Sequence, residues 1–119
     1  MQKRSICWLG ASSLNATAGI HSIANPDALT ATGMGLLNIA ASGAINTLAA
    51  EGKISIKAKK KLATCVLLLN MAPIALGAAN VVSDDGATSA GLGQMALGVA
   101  SSMQCLDAIG AFNKKEKEN

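Results

Sequence analysis

The sequence predicts an all-α fold, a four-helix transmembrane bundle of two tandem helical hairpins related by internal duplication. Three observations predict it. First, four runs of 22, 23, 22 and 21 residues carry no charge: they lie between Arg4 and Asp27, Asp27 and Glu51, Lys61 and Asp84, and Asp85 and Asp107. A helix needs about 20 residues to cross a bilayer core. Second, the charges are sorted by sign. All ten basic residues fall at the N-terminus (Lys3, Arg4), in the middle segment (Lys53, Lys57, Lys59, Lys60, Lys61) or in the tail (Lys114, Lys115, Lys117). The other two connections hold only Asp27, Asp84 and Asp85. With four crossings, every basic group lies on one side, as the positive-inside rule requires. Third, residues 28–52 recur 58 positions later, pairing Thr30 with Thr88, Gly33 with Gly91, Gly35 with Gly93, Asn46 with Gln104 and Gly52 with Gly110. For the first helices the best match is at 55 positions, Leu14-Asn15 with Leu69-Asn70 and Ala24-Asn25 with Ala79-Asn80.

The 119 residues read as one integral membrane domain. The first hairpin spans about 5–52, with helices over 5–24 and 28–50. The first run is the most polar, with Ser12, Ser13, Asn15 and Thr17 in its middle. Asn25-Pro26-Asp27 makes the turn, because proline ends a helix and aspartate caps the next. Gly52 stops the second helix. A basic connection follows over 53–61, either a solvated loop or a short amphipathic piece on the membrane surface. The second hairpin spans about 62–112, with helices over 62–82 and 87–112. Pro73 lacks an N–H and crowds the Leu69 carbonyl, so a bend is expected there. The turn over 83–86 parallels the first. The tail, 113–119, is charged.

Composition limits the chemistry. Charged residues make up 14% of the chain, and there is one Phe, one Trp and no Tyr. No basic stripe with interleaved aromatics is present, so no nucleic-acid partner is expected. There is no phosphate loop, no Ser/His/Asp set and no paired carboxylate, which points away from an enzyme. Cys7, Cys65 and Cys105 match no zinc or redox spacing and read as free thiols. Tandem Gly/Ala-rich hairpins resemble those of proteolipid rotor subunits. That function is not carried over, because Asp107 lies too near the helix end to serve as the mid-membrane acid.

The polar and small residues read as packing seams, since membrane helices associate by close approach and interhelical hydrogen bonds. Asn15, Asn38, Asn70, Gly77, Gly91 and Gly98 are the packing candidates. Asn15, Ala18, Ser22 and Asn25 form a stripe on the first helix, and Asn70, Pro73, Gly77 and Asn80 one on the third. His21 and Gln94 are the candidate magnesium ligands for a chlorophyll-type pigment, with interfacial or packing roles as the plainer reading. Lys57, Lys59, Lys60 and Lys61 are the candidate contacts to lipid headgroups. No cofactor is fixed by the sequence; chlorophyll, carotenoid and structural lipid are the candidates. Thin helices without an aromatic belt are weakly anchored alone. The expected role is therefore a non-catalytic accessory subunit of a larger respiratory or photosynthetic membrane complex, in a thylakoid or inner membrane. Its expected partners are other membrane subunits and the bilayer. The alternative is a small homo-oligomeric transporter or channel.

Overall fold

The computed structural model describes residues 2–24, 30–83 and 88–112. They form helices and no strand. The first hairpin pairs α1 (Lys3–Ala24) with α2 (Thr30–Ala50). In the second, α3 (Ile56–Leu69) and α4 (Met71–Val81) are two halves of one rod that pairs with α5 (Thr88–Ala108). The expected outer turns at 25–27 and 84–86 lie outside the described residues, as do Asn25 of the first stripe and the tail.

Two of these rods are long and apolar enough to cross a membrane, Thr30–Ala50 and Ile56–Val81. The rods of α1 and α5 have the length but not the apolarity, because α1 carries Lys3, Arg4 and His21, and α5 carries Gln94, Gln104 and Asp107. The four charge-free runs thus become four rods of which two pass by composition.

Glycines end the two central helices in the same way. Gly52 has φ 73° and Gly110 φ 85°. After α2, the Lys53 N–H donates to the Leu48 carbonyl at 2.8 Å and the Gly52 N–H to Ala49 at 3.0 Å. After α5, Ala111 donates to Leu106 at 2.9 Å and Gly110 to Asp107 at 3.1 Å. This left-handed cap satisfies carbonyls that a helix end leaves open. The expected stop at Gly52 is found, but α5 ends at Ala108 and does not continue to Phe112.

The middle connection is shorter than the expected 53–61. Ser55 caps α3, its hydroxyl accepting from the Ala58 N–H at 3.1 Å. The lysines 57 and 59–61 therefore stand on the first turns of a helix. The rod breaks at Asn70, three residues before Pro73. Pro73 offers no N–H to the Leu69 carbonyl. The ladder resumes with Ile74 N–H donating to Asn70 at 3.3 Å.

α2 and α5 are the central pair. α1 packs on α2 alone, whereas α3 packs on both α5 and α2. α5 buries Gly91, Gln94, Gly98, Ser101, Cys105 and Ala108, and the rod facing it buries Ala63, Val66, Asn70, Pro73 and Gly77. These alternating steps of three and four residues are the spacing of a left-handed coiled seam. The apolar core sits at one end, where Ile45, Ala63, Val66, Cys105 and Ala108 meet.

Each hairpin crosses at a glycine pair. A Cβ on Gly33 would lie 2.6 Å from the Gly19 carbonyl oxygen, and one on Gly19 2.8 Å from that of Gly33. A Cβ on Gly91 would lie 2.5 Å from the Gly77 carbonyl oxygen, and one on Gly77 2.8 Å from that of Gly91. Leu37 and Ile23 flank the first crossing as Met95 and Val81 flank the second. All four correspondences are 58 residues apart. The crossings thus keep one register through both helices of each hairpin, and the 55-residue register expected for the first helices is not the one the contacts use.

Candidate functional site: a polar cleft between three helix ends

Inside the bundle the polar side chains hold one another. The Ser42 hydroxyl donates to Gln104 Oε1 at 2.6 Å and lies 3.2 Å from Ser101 Oγ. Asn46 Nδ2 donates to the Gln104 carbonyl at 3.2 Å. One turn group higher, Asn80 Nδ2 donates to Gln94 Oε1 at 2.7 Å, and Gln94 Nε2 donates to Thr32 Oγ1 at 3.1 Å. Gln94 thereby ties α4 and α2 to α5. It is 1% exposed, so a chlorin ring seated on it would have to open both seams. His21 stands apart from it, exposed on α1.

The other sequence candidates separate. Gly77 and Gly91 form the second crossing, and Gly98 is pressed against Ile74. Asn15 and Asn38 are half-buried on α1 and α2. Asn70 is fully buried, yet neither atom of its amide has a hydrogen-bond partner. It sits among the buried residues of the rod that faces α5, without a side-chain hydrogen bond to tie the helices. Lys57, Lys60 and Lys61 are exposed and Lys59 is half-buried, all at the start of α3. Cys7 and Cys65 are exposed free thiols and Cys105 is buried. Among the described residues no group of three or more His, Cys, Asp or Glu side chains could hold a metal ion.

What the sequence did not suggest is a cleft of about 620 Å³ at the end of the bundle where α1 begins and α2 and α5 finish. Arg4, Ser5 and Trp8 of α1 form one wall. Asn46, Thr47 and Glu51 form a second, and Gln104 and Asp107 of α5 a third. These residues are far apart in sequence and none sits in a motif. The available signal was the position of Glu51 and Asp107 near equivalent ends of α2 and α5.

One wall is pinned. The Glu51 carboxylate accepts from the Ser5 hydroxyl and from the Gln2 N–H at 3.3 Å. The Ser5 hydrogen bond, then the Gln2 amide and the nearby Lys53 charge, hold its carboxyl below the usual carboxylate range against some desolvation. The sign follows from linkage. A carboxyl with a depressed folded pKa stabilises the fold above its unfolded value, and that contribution disappears as pH falls through the folded value. Acidification below the usual carboxylate range should therefore free the first turn of α1 from the end of α2. Hydrogen exchange of the amides over 5–9 should accelerate in that window, and Ser5→Ala should show the fast exchange already at neutral pH. Equal protection of these amides in the Ser5→Ala chain would mean that the tie is not what holds the turn.

No family model matches the chain, and neither a curated protein nor a solved structure matches it.

Proposed function

We infer that the chain is a non-catalytic, multi-pass membrane subunit that packs against other membrane proteins. In this reading all four rods cross the bilayer, and the N-terminus and the α2–α3 connection lie on the basic side. The 58-residue spacing of the two glycine crossings and of the two glycine caps supports an origin by duplication. One observation carries the functional reading. The amides and hydroxyls between helices are largely satisfied within the seams, while the outward surface is apolar, with Leu14, Ile20, Leu68, Leu69, Met71 and Leu92 all exposed. Such a surface suits lipid and neighbouring helices. α1 adds to this, since it rests on one neighbour and leaves most of its circumference open.

The test is the native mass of the full chain extracted from its own membranes in mild detergent, with a spectrum of the same peak. A large particle holding other membrane subunits is expected. A small homo-oligomer that conducts a solute when reconstituted overturns this reading. The polar cleft favours that second reading, a transporter or channel, because Asn46 and Gln104 place amides on its wall. Flux lost on Asn46→Leu or Asn38→Leu would establish it. A coloured particle would return His21 to consideration as a pigment ligand.

A further inference from the structure

The cleft occupies in the first hairpin the place that the apolar core occupies in the second. Ala63, Val66, Cys105 and Ala108 belong to that core. The residues 58 positions earlier are Ser5, Trp8, Thr47 and Ala50, and all four line the cleft. In the second hairpin α3 reaches α2 as well as α5 and fills the space; its counterpart α1 rests on α2 alone and leaves the space beside α5 open. The residues facing that space are not those of an unfilled core. Arg4 and Asp107 line it, and their side chains have no hydrogen-bond or ion-pair partner among the described residues. Glu51 lines the same cleft, and Asn46 is set back from it by about 7 Å along the helix axis. Trp8 is one turn along α1 from Arg4 and is 55% exposed.

We propose that this cleft binds the headgroup of a zwitterionic phospholipid bearing a primary ammonium, with the phosphate at Arg4 and the ammonium between Asp107 and Glu51. The proposal rests on the membrane-embedded reading above. A guanidinium fork matches phosphate oxygens in two parallel hydrogen bonds. A primary ammonium has three N–H donors, which two carboxylates and the Gln104 amide oxygen can accept. A quaternary ammonium has no donor and is held by several aromatic faces, of which this cleft has one. A headgroup with a phosphate and no ammonium would face two carboxylates against one guanidinium. A bilayer lipid is favoured over a soluble phosphoamine by position. The cleft opens at the end of the bundle where the lysines of α3 also begin, the level of the headgroups. Tryptophan prefers that depth as well.

Trp8 is the only tryptophan and the chain has no tyrosine, so its emission reports on the cleft alone. The full chain in neutral detergent is titrated with short-chain phosphatidylethanolamine, phosphatidylcholine and phosphatidylglycerol. A saturable shift of Trp8 emission with the ethanolamine lipid is expected, with the other two binding at least about tenfold more weakly. R4Q and D107N should each weaken the ethanolamine lipid by about tenfold with helicity unchanged. Free phosphoethanolamine should not displace it. An equal response to all three lipids, or to the variants and the parent chain, overturns the assignment. Displacement by free phosphoethanolamine also overturns it in favour of a soluble ligand. Flotation with vesicles separates the two levels. A chain that floats without headgroup selectivity loses the cleft assignment and keeps the membrane reading; a chain that does not float loses both.

Discussion

Replacing Gly91 or Gly33 by alanine should destabilise the bundle, while the same change at Gly93 should leave it unharmed or improve it. At the two crossings a methyl group would be driven to 2.5 Å and 2.6 Å from a backbone carbonyl oxygen. Backbone cannot swing aside as a side chain can, so the helices must separate. At Gly93 nothing lies within 4 Å. Alanine gains about 1 kcal/mol over glycine in a helix interior, and this gain is common to all three positions. The difference between the crossing variants and Gly93→Ala therefore isolates the clash, and overpacking of this kind costs about 1–3 kcal/mol. Titration of the detergent-solubilised chain with SDS, read by far-ultraviolet dichroism, measures it. If Gly91→Ala and Gly93→Ala unfold together, the close crossing does not exist in solution.

Asn70→Leu should stabilise the chain, a rare direction for a core substitution. The side chain is fully buried and both amide atoms lack partners. A buried polar group left unpaired costs about 1–3 kcal/mol, and an apolar residue of similar size removes that cost. Gln94 is the internal contrast. It is as deeply buried, but Gln94→Leu would orphan Asn80 Nδ2 and the Thr32 hydroxyl, so it should destabilise. Membrane hydrogen bonds average only about 0.6 kcal/mol, so the loss at Gln94 should be the smaller effect. The same SDS titration compares them. An Asn70→Leu chain that unfolds earlier than the parent would show that the amide finds a partner, and that the break before Pro73 depends on it.

The helices were legible in the sequence because charge-free length and glycine stops are local signals. Gly52 announced the end of α2, and Pro73 the break in the third rod. The start of that rod is less legible. Lysines at 57 and 59–61 look like a loop when charge is the guide, yet Ser55 followed by strong helix formers is a capping signal that was present. The second crossing was legible through Gly77 and Gly91. Its mate at Gly19 is less legible, because the polar stripe of the first helix runs through Asn15 and Ser22. Asn70 was recognised as a packing position, but no single-sequence pattern says whether an amide will find a partner. The cleft was illegible for a different reason. Arg4, Glu51 and Asp107 line one cleft because α1 does not pack on α5, and that is a property of three helices together.

The manner in which α1 is attached bears on how the molecule comes apart. Only Ser5 and Gly19 of α1 are buried, and it has a single neighbour. The other rods brace one another around the core. Such a body consists of a cooperative unit and an adherent one, with opening free energies of their own. One melting temperature would then average two separate events, and a two-state fit would return a slope too shallow for the surface exposed. Damage at the first crossing would detach α1 and spare the remainder, whereas equal damage at the second would reach everything. Two sites written alike in the chain thus carry unequal weight, because one guards the periphery and the other the whole.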